Sequence, residues 1–191
     1  MGSTINCFLL EPVEEAEAFL RRYRRNEESP CPTRFGYHNV SVSIGRHPWQ
    51  PPEPDLNGYG GEVSHDDHRW PKTCPCGYVF KPEDHWQVNI RRLHRRSDNG
   101  ELVTIDQAPA GAMWYADWYS DMKGPDGRTL VVRTPAGDWI VDGPASNSKK
   151  PWTRTGIPPK VTAHPSIGMG SDAKGRWTYH GWLRDGVLVE C

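Results

Sequence analysis

The sequence predicts an α+β fold, made mostly of antiparallel hairpins with one N-terminal helix and a long loop stapled by a zinc knuckle. Hydrophobic residues make up 36% of the 191 residues, which is enough for a packed core. The chain also contains 19 glycines and 18 prolines, an excess that favours short strands joined by turns. Apolar residues at helical spacing occur near the N-terminus, and they indicate the helix.

The first elements are predicted to be a short buried strand at 5–10 and a helix over 12–25. In the helical segment the apolar side chains recur three or four positions apart: Val13, Ala16, Leu20 and Tyr23. Acidic residues precede basic ones, an order that complements the helix dipole. The run RRYRR at 21–25 is alternatively a nucleic-acid patch, although a charged helix end explains it more simply.

The rest of the chain is predicted to contain strands, turns and one more short helix. Residues 37–45 alternate as a half-buried strand, and the Pro/Gly-rich segment 46–64 is a long loop. A short helix is expected to open at Pro82. Hairpin turns are indicated at Asn99-Gly100, Pro135-Ala136-Gly137 and Asp185-Gly186. We expect a single domain over 1–191, with 1–105 and 106–191 as alternative sub-modules.

The charge of the chain limits how it could bind nucleic acid. The formal net charge is −1, so only a local basic patch could attract a phosphate backbone. One such patch is a run of four arginines, for which a solvated surface is the alternative: Arg91, Arg92, Arg95 and Arg96. No apolar run approaches the length of a membrane span, and no signal peptide is recognisable. We therefore expect a soluble protein in a reducing cytoplasm.

The stretch HDDHRWPKTCPCGYVF at 65–80 is the candidate metal site. In a reducing compartment cysteines are read as thiols or metal ligands before disulfides. Cys74 and Cys76 form a Cys-x-Cys turn, one residue shorter than the usual zinc knuckle. We expect a zinc site with four ligands: Cys31, His65, Cys74 and Cys76. His38 or His68 could replace one of these ligands, and free thiols in a turn are the alternative.

The same stretch favours a structural zinc over a catalytic one. A hydrolytic zinc keeps one open coordination position and a general base, for which Asp66 and Asp67 are nearby candidates. The His-Glu-x-x-His motif and the deaminase signature are both absent from the sequence. We therefore assign no catalytic residue.

Six of the nine tryptophans lie in the second half of the chain. Some of these side chains are expected in the core between the hairpins. The segment GAMWYADWY is the best candidate for an exposed contact surface for a protein or for stacked bases, through Trp114, Tyr115, Trp118 and Tyr119.

Several short motifs, distributed along nearly the whole chain, carry a resemblance to a known family. They are CPCGYVF at 74–80, GAMWYADW at 111–118, GPDGRTLVVRTPAGDWIVD at 124–142 and YHGWLRDG at 179–186. With these motifs the chain resembles an uncharacterised family of bacteriophage and prophage proteins. The resemblance implies a phage origin and makes the Cys74/Cys76 knuckle a family feature. It implies no activity.

These observations predict a phage-encoded, non-enzymatic zinc protein that binds another macromolecule, most simply a phage or host protein. It would act in the cytoplasm of the bacterial host or as a minor or decorating component of the virion. One alternative is a zinc-dependent hydrolase or nuclease acting on nucleic acid. The other is a host-takeover factor that binds a bacterial protein.

Overall fold

A computed structural model describes the chain over residues 2–25, 30–32, 36–49, 63–145, 152–170 and 178–191. The chain divides into two compact units. The first unit comprises residues 1–11 and 94–191, and the second comprises residues 12–93. This division differs from the predicted boundary near residue 105. Each unit is described by itself below.

The regular elements of the described residues are β-strands, apart from one 3₁₀ turn at Ile105–Gln107. The predicted α+β class is therefore wrong. The strands are β1 (Thr4–Asn6), β2 (Phe8–Arg25), β3 (Tyr37–Pro48), β4 (His85–Arg96), β5 (Leu102–Thr104), β6 (Ala112–Tyr115), β7 (Leu130–Thr134), β8 (Gly137–Ile140), β9 (Thr153–Ile157), β10 (Lys160–Met169), β11 (Tyr179–Arg184) and β12 (Val187–Glu190).

The segment predicted as the N-terminal helix is the long strand β2. Its backbone pairs with β3 from Glu15 opposite Pro48 to Arg25 opposite Tyr37, and β4 lies on its other side. The side chains at 16, 18, 20 and 22 are buried on one face of the strand, which is a period of two. The fourth of them is Arg22, and an arginine at a buried position hides the alternation in the sequence. Tertiary pairing thus overrides the helical spacing.

The helix predicted at Pro82 is also wrong. Residues 82–84 form a turn, and β4 begins at His85. The three hairpin turns are confirmed. Arg96 bonds Glu101 across the first, Thr134 pairs with Gly137 across the second, and Arg184 pairs with Val187 across the third. In the third turn Asp185 and Gly186 both have positive φ angles, 44° and 76°, as a two-residue hairpin turn requires.

The first unit contains a five-stranded sheet in the order β1-β12-β11-β10-β9. Strands β9 and β10 lie within 143–176, a polar segment rich in Gly and Pro whose sequence has no regular apolar period. In the same unit, the start of β2 pairs in parallel with β6, and β7 and β8 follow. One apolar cluster consists of Met113, Leu130, Val132, Trp139, Val141, Val161, Ala163, Ile167, Leu183 and Leu188. A second one consists of Phe8, Leu10, Val103, Ala108, Ala112, Trp114, Ala116 and Val131.

The second unit is built on β2, β3 and β4, with β2 in the middle. Pairs of residues opposite one another on β2 and β3 share a face, so His38 lies on the same face as Arg24 and the buried Arg22. The other face carries Arg21, Tyr23 and Asn39. The segment 63–84 packs as turns against the first face, because Arg22 lies over the rings of Phe80 and Trp86.

No helix among the described ranges has the length and apolarity needed to cross a membrane. Most of the predicted Pro/Gly loop, residues 50–62, lies outside the described part of the chain, whereas residues 46–48 belong to β3.

Candidate metal centre

The Cys-Pro-Cys-Gly segment forms a tight turn that directs two thiols to the same side. Cys74 donates its N–H to the carbonyl of Tyr78 at 2.8 Å, and Gly77 donates to the carbonyl of Cys74 at 2.8 Å. Thr73 bridges Val79, which closes the turn as a small antiparallel ladder. Gly77 has a φ of 94°, a conformation that favours glycine. The sequence folds this way because Gly77 permits the reversal directly after the second cysteine.

A second turn supplies the other two candidate ligands. Cys31 bridges Gly36, and the N–H of Gly36 donates to the carbonyl of Cys31 at 3.3 Å. Gly36 has a φ of 82°, so the chain reverses there and enters β3 at Tyr37. His38, the second residue of that strand, then lies on the sheet face that packs against the Cys74 turn.

The four side chains converge on one point. One ligand atom from each of Cys31, His38, Cys74 and Cys76 lies within 4.8 Å of the others. The sulfurs of Cys31 and Cys74 are 3.9 Å apart, and the sulfur of Cys76 is 3.3 Å from His38 Nδ1. Cys31, Cys74 and His38 are buried, and Cys76 is partly exposed. The cluster is therefore compatible with a metal ion held by three thiolates and one imidazole.

A layer of aromatic and charged groups orients the histidine. The ring of Tyr78 stacks on His38 with centroids 4.0 Å apart. The Tyr78 hydroxyl donates to Asp84 Oδ2 at 3.1 Å, and this oxygen also accepts the N–H of Lys81 at 2.8 Å. Arg24 Nη1 lies 3.7 Å from the other oxygen of the buried Asp84 carboxylate. Burial, followed by the contact with Asp84, raises the pKa of Tyr78, so the phenol remains a donor.

Opposing influences act on the pKa of the Cys76 thiol. A backbone hydrogen bond at Tyr78 lowers this pKa. Desolvation and the neighbouring thiols of Cys74 and Cys31 together raise it by more, so the net shift of the pKa is upward. A metal ion reverses this balance, because a cation stabilises the thiolates that otherwise repel one another. Metal binding at this cluster therefore releases protons.

The structure brings together three of the four predicted ligands and supplies His38 in place of His65. His65 is exposed and stacks on Trp86 with centroids 4.5 Å apart. His68 is also exposed and lies 3.9 Å from Asp67. The histidines in the stretch 65–80 drew attention because they are close in sequence. His38 is close in space, because the turn at Gly36 brings β3 back beside Cys31.

The acidic residues beside the knuckle are not arranged as a general base. The Asp67 carboxylate binds the guanidinium of Arg69 through both oxygens, at 2.6 to 3.2 Å, and accepts the Arg69 backbone N–H at 2.9 Å. These hydrogen bonds hold the pKa of Asp67 well below its usual range. Asp66 is exposed to solvent.

The predicted aromatic contact surface is divided between core and exterior. Trp114 is buried in the second apolar cluster and is unavailable to a partner. Tyr115 is half-buried, with its hydroxyl bound to Asp126 and its ring under Arg128. Trp118 is 66% exposed, and Tyr119 is half-buried beside it. Of these four aromatic residues, Trp118 alone offers a freely exposed ring.

The predicted basic run on β4 is partly neutralised. Arg92 pairs with Glu14 and donates to the carbonyl of Val13. In the first unit, Arg96 binds Asp98 at 2.7 Å and Glu101 at 3.0 Å. Arg91 lies over the ring of Phe19, and Arg95 is exposed. The charges of Arg92 and Arg96 are therefore offset by neighbouring carboxylates.

Comparison with known proteins gives no relative: no family model, no curated protein and no solved structure matches this chain.

Proposed function

We propose that this chain is a non-enzymatic protein of phage origin, in which a structural zinc ion staples the 12–93 unit and which acts by binding another macromolecule. The observation that carries the proposal is the convergence of Cys31, His38, Cys74 and Cys76 within 4.8 Å. Four protein ligands complete a tetrahedron and leave no coordination position for a reacting water. Catalytic zinc sites, in contrast, use three protein ligands and keep the fourth position open.

The ligand types and spacings favour zinc. Thiolates and imidazole are the ligands that select zinc over magnesium or calcium, and three cysteines with one histidine is a common structural set. Zinc–sulfur bonds of about 2.3 Å at tetrahedral angles place two sulfurs about 3.8 Å apart, and a sulfur and a nitrogen about 3.5 Å apart. The distances of 3.9 Å between Cys31 and Cys74 and 3.3 Å between Cys76 and His38 agree with these values.

The proposed zinc ion would hold together two segments that are distant in sequence. Cys31 and His38 flank the entry to β3, whereas Cys74 and Cys76 belong to the turn packed on the sheet. One ion would join segments that are about 40 residues apart in sequence, with the segment 39–73 enclosed between them. A hydrolase built on the same ion would need an open ligand position and a free base. Asp67, the best-placed acid in sequence, is engaged by Arg69.

The test is the metal content of the purified protein, measured by mass spectrometry with inductively coupled plasma. We expect one zinc per chain in the wild type and in Cys191→Ser, which changes an exposed thiol outside the cluster. Cys74→Ser should lose the metal. Reconstitution with Co²⁺ should give the absorption of a tetrahedral thiolate complex. A wild-type protein free of zinc after preparation without chelators, and unable to bind added Zn²⁺, would overturn the proposal.

Two histidine variants test whether His38 or His65 is the fourth ligand. His38→Gln removes a buried ligand, whereas His65→Gln removes an exposed ring stacked on Trp86. Zinc affinity, measured by competition with a chromophoric chelator, should fall in the first variant by more than the roughly 10–100-fold typical of outer-shell changes. It should be unchanged in the second. The opposite result would return His65 to the site.

A further inference from the structure

We infer that the face of the β3-β2-β4 sheet opposite the metal cluster binds single-stranded nucleic acid, with Arg21 holding a phosphate and the rings of Tyr37 and His85 stacking on bases. This inference rests on the proposed binding function and names the class of its partner. It concerns a surface of the 12–93 unit that includes none of the metal ligands.

The centre of this face is a stack of three planar groups. The guanidinium of Arg21 lies 4.5 Å from the centroid of the Tyr23 ring. Tyr23 in turn stacks on His85, with centroids 4.7 Å apart and planes inclined by 16°. His85 is exposed and forms the outer end of the stack. A nucleic-acid base is a further flat π-system, and base–aromatic stacking needs no particular sequence.

Neutral groups hold Arg21 in a fixed orientation. Its Nε donates to Asn39 Oδ1 at 3.0 Å on β3, and its Nη1 donates to Gln87 Oε1 at 3.1 Å on β4. Both acceptors are amide oxygens, so the guanidinium is positioned without losing its charge to a carboxylate. An arginine has five N–H donors, of which these bonds use two. The remaining donors match the oxygens of a phosphate.

A second aromatic ring lies on the neighbouring strand of the same face. Tyr37 is 43% exposed, and Arg25 lies over its ring at 5.7 Å. Tyr37 is on β3 and His85 on β4, with β2 between them. Adjacent strands lie about 4.8 Å apart, so the two rings are separated by roughly 10 Å across the sheet. Tyr37 lies opposite Arg25, and Arg21 is four residues further along β2 on the same face, so the two rings and the fixed guanidinium form a surface along which a short strand of nucleic acid can run.

The charges on this face select an anionic partner. No acid occupies the positions that alternate onto this face from 19 to 25 of β2, 37 to 43 of β3 and 85 to 91 of β4, and the positive charge of Arg21 is held there by neutral partners, Asn39 and Gln87. Within the 12–93 unit, acids occur on this face of β2 only further along, at Glu17 and Glu15. Glu17 accepts a hydrogen bond from Ser43, and Glu15 pairs with Arg46. Glu17 is four residues, about 13 Å, from Arg21. The cationic end of the face is thus separated from its acidic end.

A single strand fits this face better than a duplex or a protein. Rings on a sheet can reach only bases that are unpaired and unstacked from their neighbours. An acidic peptide would satisfy the arginines, but it would offer nothing for the exposed rings to stack on. A peptide of ten glutamates is therefore the competing partner to include in the test.

The test is fluorescence anisotropy with a labelled 12-nucleotide thymidine or uridine strand and the zinc-loaded full chain. We expect saturable binding by the wild type. Arg21→Gln should weaken it about tenfold, because a charge-assisted hydrogen bond is lost. Tyr37→Ala and His85→Ala should each weaken it roughly tenfold through lost stacking. Arg184→Gln, the same charge change at an exposed site in the first unit, should be neutral within about twofold.

The salt dependence of the binding provides a readout that misfolding would not mimic. Loss of one phosphate contact to a single strand should reduce the slope of log affinity against log salt by about 0.7 in Arg21→Gln, with no change in Tyr37→Ala. Arg21→Lys keeps the positive charge but loses the planar, two-pronged donor arrangement of the guanidinium. It should therefore retain the salt-dependence slope and bind more weakly. Circular dichroism and zinc content of every variant confirm that it is folded.

Three outcomes would overturn the inference. The first is no binding by a wild type that carries its zinc, and this leaves the proposed structural metal intact. The second is equal binding of the glutamate peptide, which would identify a protein partner instead. The third is an equal loss in Arg184→Gln and Arg21→Gln, which would reduce the effect to net charge. A wild type without zinc would instead contradict the proposed function, whatever its nucleic-acid affinity.

Discussion

The two compact units differ in what fills their interiors. The unit of residues 1–11 and 94–191 has two apolar clusters that include large side chains such as Met113, Leu183 and Phe8. In the 12–93 unit, the cluster around the candidate metal centre consists of Cys31, Cys74 and Phe80, with Cys76 at its edge, and the other large buried apolar side chains include Leu20 and Trp70. Thiols that bury little apolar area contribute correspondingly little hydrophobic free energy. If the cluster holds a metal as we propose, the second unit obtains from that ion part of the stability that the first unit obtains from packing.

The buried charges show the same contrast. In the first unit Arg154 is buried between two carboxylates, Asp142 at 2.8 Å and Asp126 at 2.7 Å, and both donors and acceptors are satisfied. In the second unit the Nε of Arg22 and the Oδ1 of Asp84 are buried without a hydrogen-bond partner among the described residues. Unsatisfied buried groups cost free energy. A metal that fixes the surrounding turns would offset that cost.

The largest expected effect follows from removing the metal. Removal of the metal by a chelator should make the backbone amides of the 12–93 unit exchange faster, whereas the amides of β7, β10 and β11 should remain protected. Structural zinc sites of this kind contribute an apparent free energy on the order of 10 kcal/mol. Hydrogen exchange with mass spectrometry, with and without a strong chelator, measures the effect segment by segment. Equal loss in both units would show that the contrast between them is wrong.

A smaller but metal-independent effect is expected for Arg154→Met. The substitution leaves the buried Asp142 carboxylate without its cation and removes the partner of the more exposed Asp126, and breaking a buried pair costs about 3–5 kcal/mol. Urea unfolding of the zinc-loaded protein should show the loss in the first unit. Arg184→Met, at an exposed arginine over the Trp182 ring, is the control and should change the free energy of unfolding by less than about 0.5 kcal/mol.

Tyr78→Phe separates the stack on His38 from the hydrogen bond to Asp84. The ring remains stacked, so zinc content should be unchanged. The loss of the donor to Asp84 Oδ2 should cost about 1 kcal/mol, measured by urea unfolding of the zinc-loaded protein. Tyr78→Ala should cost more and weaken zinc binding as well. Loss of zinc in Tyr78→Phe would mean that the phenol, and not the ring, supports the site.

The sequence could predict the turns and most of the metal ligands, because both depend on local chemistry. Asp185-Gly186 adopts the φ angles that its residue types favour, and Cys74 and Cys76 share one turn. Strand β2 could not be predicted, because its regular face includes the buried Arg22, whose burial depends on Phe80 and Trp86 far along the chain. The sequence likewise left His38 as only one of several possible histidine ligands, because its position depends on contacts that are distant in sequence. Its place in the site follows from strand register, which hydrophobic pattern alone does not reveal.

A further effect, which depends on pH, is expected in the first unit under alkaline conditions. Desolvation raises the pKa of Cys7 to about 12, although a backbone hydrogen bond at Leu188 opposes it. Desolvation also raises the pKa of Tyr179 to about 12, followed by the nearby charges of Glu190, Cys7 and Cys191. The folded state thus favours the neutral forms. Their contribution to stability is complete below the ordinary pKa values, about 9 for the thiol and 10 for the phenol, and it is lost as pH rises toward 12.

Urea unfolding of the first unit at pH 8 and pH 11 measures this loss. We expect a lower midpoint at the higher pH, and a smaller drop in Cys7→Ala, which removes one of the two groups. Cys191→Ala, at an exposed thiol, is the matched control and should keep most of the drop. An identical drop in Cys7→Ala and the wild type would show that Cys7 ionises without unfolding. The apolar packing around it would then be looser than its burial beside the first cluster implies.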